Sequence, residues 1–437
     1  METENKSLLE TYSKRLAVSE SVAAKAGVDF DSSRKMAVAM VLNNTNKYLN
    51  EKFSNSVGTQ RADLGAWKKF CLNLTTVALP TLIAPELVIV NPMSSFSGYV
   101  TYIEYTAGTT KGQTKAGKSL NSVFGLGDVD VNYTASRVVE TVSEAGDVTL
   151  AWTPVVTDAF KEKDGTVLGD VKFIADGGEV SYLKVTDGKV KVTGAGKIAY
   201  EYDNEVIPQN DLPIFNAKIN SIPLICKTRR IAIYYSQIAA FQAKQDYGFD
   251  LGDQLAEKAC GELAYEIDTE ITNLLIENAA ESDKLTWSRT VPQYISKAEH
   301  YEGFAEVVDI ASSIIYGRTK RFAATFMLCA RDIINILTFI KGFKAADAKH
   351  ANGPYFAGTL NGIKVFVTPG IEAGKFVLGC NGDDMMSAPA VYAPYMAVVP
   401  TQLLGMSDGA MSQGFSTVYA LEMLNKDLLV AGKVTTD

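Results

Sequence analysis

Apolar positions recur three or four residues apart from Leu251 to Asn278. Leu251, Leu255, Ala259, Leu263, Ile267, Ile271 and Leu274 share one face, so a single long amphipathic helix is expected there. At roughly 1.5 Å per residue it would be a rod of about 40 Å. Asp250 or Asp253 stands where its start needs a cap. Glu262, Glu266 and Glu270 form a ladder of like charges along it, which is mildly unfavourable unless the face is solvated or a basic surface lies opposite. Lys6 to Phe53 also reads as helical and amphipathic, broken at AGVDFDSS.

Elsewhere the period shortens to two. GYVTYIEY (98–105) alternates as a strand does, and GTTKGQTKAGKSLNSVFGLG (108–127) follows as the loop of a long hairpin carrying Lys111, Lys115 and Lys118. Short strands separated by KEKDG, ADGG, TDGK and TGAGK make Val129 to Tyr202 a small all-β unit. From Tyr301 helices and strands alternate: GFAEVVDIASSIIYG and RDIINILTFI as helices, FAATFMLCA, GTLNGIKVFVTPG and KFVLGC as strands. The chain therefore reads as α+β. SAPAVYAPYMAVVP (387–400) has too many prolines for a helix and too many apolar residues for a surface loop. It suits a buried strand, a ligand wall or a surface covered by another chain.

Composition narrows the function. With 47% hydrophobic and 21% charged residues the 437-residue chain is globular, and its net charge of −8 comes with no Lys/Arg cluster longer than a pair. Tight nucleic-acid binding by this chain alone is not expected. METENKSLLE lacks the features of a signal peptide. Leu74–Val90, the most apolar stretch, is short for a membrane span and contains Pro80, Pro85 and Glu86. Cys71, Cys226, Cys260, Cys329 and Cys380 are scattered without a CxxC pair, as free buried thiols of a reducing cytoplasm would be.

One chemical motif matches by its letters. Gly112, Gly117, Lys118 and Ser119 satisfy G-x-x-x-x-G-K-[ST], which would support a nucleotide-binding enzyme. That chemistry needs a helix opening directly after the loop, whereas LNSVFGLGDVDV contains two glycines and reads as strand. His300 and His350 are the two histidines, read as lone surface residues, so zinc sites built on several histidines are excluded. No GxSxG elbow occurs, and no cysteine has a neighbouring histidine. No catalytic residue, metal ligand or cofactor is assigned.

Three blocks in order carry a resemblance. They are VALPTLIAPELVIVNPMSSFSGYVTYIEY (77–105), Arg229 to Thr272, and Tyr355 to Pro400. Together they resemble the major capsid protein of T4-type tailed phages, which has a P-x-L-I-A segment, a V-x-P-M turn, an E-I-x-x-E-I helix and a Y-A-P-Y motif. Glu266, Ile267, Glu270 and Ile271 match the third of these, and Tyr392, Ala393, Pro394 and Tyr395 the fourth. The chain departs from the family at Thr368-Pro369-Gly370 and at Gly379-Cys380-Asn381-Gly382.

The resemblance implies the HK97-like α+β shell fold. Residues 1–66 would be an N-terminal helical arm, 67–128 the start of the peripheral domain with the extended loop, and 129–206 a β-rich insertion. Residues 207–300 would carry the peripheral domain and spine helix, 301–405 the axial domain, and 406–437 a return to the peripheral domain. Lys111, Lys115 and Lys118 would make extended-loop contacts; Leu255, Leu263, Ile267 and Ile271 would pack the spine, and Tyr392, Pro394 and Tyr395 the axial domain. A prohead protease cutting after Leu/Ile-x-Glu finds candidate sites after Glu10 and Glu51.

Implied partners are further copies of the chain in hexameric capsomers, with vertex, scaffold, portal and decoration proteins. The shell would enclose double-stranded DNA without reading its sequence, would involve no membrane, and would be assembled in the host bacterial cytoplasm as part of the virion. A pentameric vertex paralogue and an encapsulin-type shell are nearer alternatives than the enzyme reading.

Overall fold

Asp250 opens the long helix by accepting from the amides of Gly252 at 2.9 Å and Asp253 at 3.4 Å, satisfying donors that the first turn leaves unpaired. The helix runs Leu251–Asn278 in the computed structural model, which describes residues 2–26, 30–54, 82–110, 114–118, 133, 137–155, 158–163, 165–202, 213–319, 321–346, 353–382, 385–401, 403–406 and 409–435. Ala259, Leu263, Ile267 and Ile271 are buried and Leu255 is half-buried, so the apolar stripe faces inward as its spacing requires. The chain divides into two units, residues 1–100 with 221–437, and residues 101–220.

Among the described residues the first unit has two sheets. In one, Ile89–Val90, Ala390–Pro400, Ala410–Met423 and Lys227–Ser236 lie side by side in that order, and Leu404–Gly405 adds to the third. Side chains alternate across a sheet, so Phe415 and Val418 point to opposite faces. Phe415 and Ile233 pack on Ala256, Ala259, Cys260 and Leu263 of the long helix. On the other face Val418, Met396 and Val399 receive Leu49 from the arm helix Ser32–Ser54.

The second sheet has seven strands in the order Ala280–Ser288, Leu429–Thr435, Lys375–Gly379, Phe326–Cys329, Ile363–Val367, Tyr355–Leu360 and Phe343–Ala345. The helices Phe304–Thr319 and Arg331–Leu337 cover it through Phe304, Val308, Ala311, Ile333 and Leu337. Ile267, Ile271 and Leu275 of the long helix pack with Phe326, Leu328, Phe366 and Val377, and also with Tyr392 and Tyr419. One helix therefore shares its core with both sheets. Asn361 and Gly362, at φ +49° and +89°, turn Tyr355–Leu360 into Ile363–Val367, the Asn-Gly pair favoured in two-residue hairpins.

Three strand pairings join segments that the sequence reading assigned to different regions. Tyr392, Pro394 and Tyr395 were expected in the axial region after 301, but their strand pairs along its length with Ala410–Met423 in the sheet of the long helix. The register slips between Pro394 and Met396 and again between Met396 and Val399, beginning at the residue that has no amide to donate. Conversely, Ala280–Ser288 and Leu429–Thr435 pair within the seven-stranded sheet.

The third pairing is the hairpin. Among the described residues Ser97–Ala107 pairs with Phe215–Ile225, forming a two-stranded ribbon. Gly108 donates to Ile214 O at 2.7 Å, which holds the two sides together just past the end of the ribbon. Between them, Arg137–Val142, Gly196–Glu201, Val171–Ala175 and Val180–Leu183 form a four-stranded sheet over a core of Val138, Val171, Phe173, Val190 and Ile198.

Candidate assembly surfaces

Lys111 lies outside the described residues, Lys115 is exposed and Lys118 is half-buried. Ala107 N–H donates to Lys118 O at 2.8 Å, and Gly117 N–H donates to Ala107 O at 2.7 Å. The Gly117 amide is thereby spent on the chain itself, where a phosphate cradle would need it free. Gly112 and Ser119 lie outside the described residues. Among the described residues no cluster of His, Cys, Asp and Glu could hold a metal, and no helix is long and apolar enough to cross a membrane.

The ribbon presents far more apolar surface than its alternation suggested. Tyr99 and Ile219 are 71% and 74% exposed, and Ile103, Tyr105, Phe215 and Ile225 are exposed as well. A two-stranded ribbon is marginal in water by itself, and exposed aromatic and β-branched residues of this kind mark a contact surface.

The glutamate ladder finds its counter-charge within the chain. Arg229, on the edge strand Lys227–Ser236, reaches Glu266 at 2.8 Å and Glu270 at 2.6 Å, and its Nε donates to the Tyr419 hydroxyl at 2.5 Å. Tyr419 donates in turn to Glu270. Burial alone would raise the Glu270 carboxyl, but the Tyr419 hydroxyl and Arg229 outweigh it and hold it below the ordinary carboxylate range. Glu262 remains exposed. Arg229 opens the second block of the resemblance, yet nothing local in Arg229-Arg230 foretold this role.

A second ionic cluster fixes the arm helix. Glu86 binds Arg34 of that helix and Lys364, both at 2.5 Å. Burial would raise its carboxyl, and the two cations more than reverse this. Further along, Asn44 Nδ2 donates to Met93 O at 2.7 Å and Tyr395 O at 3.0 Å. Tyr392 and Pro394 are buried; Tyr395 is half-buried, its ring 4.7 Å from that of Phe96. Glu10 is exposed in the helix Glu2–Thr11, and Glu51 lies in the arm helix two residues after buried Leu49.

Asp268, on the long helix, is buried and accepts from the amides of Ile83 at 3.1 Å and Ala84 at 3.3 Å. Loss of water pushes its carboxyl up to about 7, against the pull of those amides. His300 is not the free surface residue expected. It stacks on Trp287 at 4.7 Å, and its Nε2 donates to Ser288 O at 2.9 Å. Cys226, Cys260, Cys329 and Cys380 are free, and burial raises each thiol, Cys260 to about 12 and Cys380 to about 11. Such thiols are inert.

Residues 64–436 match the family described as Major capsid protein Gp23. The chain belongs to that family. It is 21% identical over 386 residues to the major capsid protein of Enterobacteria phage T4, covering 79% of this chain and 73% of the relative. The major capsid protein of Vibrio phage KVP40 is also 21% identical, over 395 residues, covering 79% and 74%. Among solved structures, one from Microbacterium phage Oxtober96 aligns at a TM-score of 0.40 and 11% identity, over 81% of this chain and 91% of that one. A mature capsid of bacteriophage PhiM1 aligns at 0.36 and 10%, over 52% and 77%. At these scores the structural likenesses add nothing to the assignment.

The capsid subunit is a structural component of a phage head shell, located in the virion capsid, and it assembles with its own copies into capsomers. The family is one of structural proteins, not enzymes. The order of helices and strands is α+β, the class that the sequence blocks imply.

Proposed function

We propose that the subunit forms hexameric capsomers of an icosahedral or prolate shell, and that the apolar ribbon is its extended loop, lying on a neighbouring copy. The observation that carries this is the exposure of Tyr99, Ile103, Phe215, Ile219 and Ile225 on a ribbon that has two strands among the described residues. Burying each such side chain contributes about 1.5–3 kcal/mol before the cost of association. In this reading the long helix is the spine of the peripheral domain, together with the sheet containing Tyr392, Pro394 and Tyr395. The seven-stranded sheet is the core of the axial domain.

Residues 1–66 form an arm that a prohead protease removes in part, after Glu10 or Glu51. Both positions lie in helices, so cutting needs local unwinding, and a cut after Glu51 also frees Leu49 from its apolar seat. Assembly takes place in the host bacterial cytoplasm with vertex, scaffold, portal and decoration proteins. The net charge of −8 suits a container that must release double-stranded DNA and not grip it.

Ile219→Asp tests the ribbon. The side chain already faces water, so the unassembled subunit should keep its circular dichroism and unfolding midpoint while shells and capsomers are lost. Shells at wild-type yield would refute the assignment.

A further inference from the structure

The motif Leu-x-Glu has a period of two. In an extended chain residues two apart project from the same side, so a protease reads the leucine and the glutamate together. On a helix residues two apart do not face the same way. Leu49 and Glu51 lie in the helix Ser32–Ser54, so the pair becomes legible only once that end of the helix has unwound.

Leu49 holds the chain back from doing so. It is 2% exposed, the last buried side chain of the helix among the described residues, and it packs on Met396, Val399 and Val418. The strand beneath is irregular, its register against Ala410–Met423 slipping on both sides of Met396. Next to the slip, the Tyr395 carbonyl accepts from Asn44 Nδ2 at 3.0 Å, and the same amide reaches Met93 O at 2.7 Å. An amide nitrogen has two hydrogens, and both are used. Lifting the end of the helix uncovers the apolar seat of Leu49, and lifting one further turn takes a donor from two carbonyls.

The other motif is held differently. Glu10 is exposed and stands one residue before the end of the helix Glu2–Thr11. Leu8 is half-buried, and it packs against the arm's own Tyr12, Leu16 and Leu42. Helix ends open at little cost, so this motif is read without disturbing the sheet.

We infer that the seat formed by Met396, Val399 and Val418 gates processing: the arm is cut after Glu10 while docked, and after Glu51 only when the end of its helix has left the sheet. The inference rests on the reading of the arm as a protease substrate. At either site water adds across one peptide bond, its hydroxyl going to the glutamyl carbonyl carbon and its proton to the departing amine of Thr11 or Lys52. A docked arm thus protects its own second site, and a contact in the growing shell that displaces the helix end exposes it.

A glutamyl endopeptidase, which needs the glutamate and not the leucine, reads this access on the free full-length subunit without the phage enzyme. Mass spectrometry follows the new N-termini, Thr11 and Lys52. In wild type the first should appear well before the second. Leu49→Ala on the arm and Met396→Ala on the sheet should each speed the Glu51 cut on the order of tenfold or more, because cleavage follows the population of the opened form. The Glu10 cut should keep its rate, and Leu49→Met, which refills the seat, should restore protection at Glu51. An unchanged rate after Glu51 in both alanine variants overturns the gate, as does a rise matched at Glu10, which would report general unfolding. N-terminal sequencing of subunits from finished particles tests processing separately. Lys52 there, with no protection in the free subunit, overturns the gate alone; an uncut Glu51–Lys52 bond there overturns the processing reading on which it rests.

Discussion

Asp268→Asn separates two opposing forces on one carboxylate. The side chain is buried, no cation pairs with it among the described residues, and the buried Tyr392 senses its charge. Burial raises its folded value to about 7, against an unfolded value of 3.8. Between these values the folded chain holds a proton that the unfolded chain has released, so stability rises as pH falls from about 7 towards 3.8. Above 7 the full penalty applies, and the gap corresponds to roughly 4 kcal/mol at 1.36 kcal/mol per pH unit. Asparagine keeps an acceptor for Ile83 and Ala84 and has no charge to desolvate. The variant should therefore be the more stable by about 4 kcal/mol at pH 8, by less than half of that at pH 5, and by almost nothing at pH 3. Urea titrations of the unassembled subunit across this range, with wild type and variant in parallel, measure the difference. Two curves that stay parallel from pH 8 to pH 5 would show that the amides outweigh burial and that Asp268 is ionised throughout.

Other outcomes follow from the same packing. Ile271→Ala removes a fully buried side chain where the long helix meets both sheets, and should cost about 2–5 kcal/mol in urea unfolding. Arg229→Ala leaves Glu266 and Glu270 uncompensated; with the arginine 31% exposed, the expected loss is about 1 kcal/mol and should shrink in high salt. Because Glu270 is held below its ordinary range, its stabilisation is present above the unfolded value and is lost as pH falls through the folded one. The variant should show less of that acid-side loss. Gly362→Ala meets no neighbouring atom but must adopt φ +89°, so a cost of about 1 kcal/mol should appear as faster amide exchange in the hairpin Tyr355–Val367.

Features written in a short window were the ones that could be read from the chain. The long helix has an apolar period of 3.6 and an aspartate at its cap, and it begins and ends where those signals place it. Asn361-Gly362 turns a hairpin for the same local reason. Long-range pairing left no such trace. Strand alternation in 98–105 is the same whichever strand lies beside it, and the partner lies about 110 residues away, as the Thr106–Asn216 hydrogen bond shows. The prolines of Ala390–Pro400 signalled an irregular buried strand, but not which sheet receives it. Arg229 became the partner of the glutamate ladder only through the register that sets Lys227–Ser236 against Ala410–Met423.

The hydrogen bond between Gly108 and Ile214, 2.7 Å across the neck of the ribbon, makes residues 109–213 a cassette. The chain leaves and returns at almost the same point, so a short turn could close the gap after excision, and a foreign domain with adjacent termini could be grafted in its place. The parent fold would not have to shift to accommodate either change. In a shell, one such graft would be repeated at every lattice position, giving a regular display set by the spacing of the subunits and not by the properties of the graft.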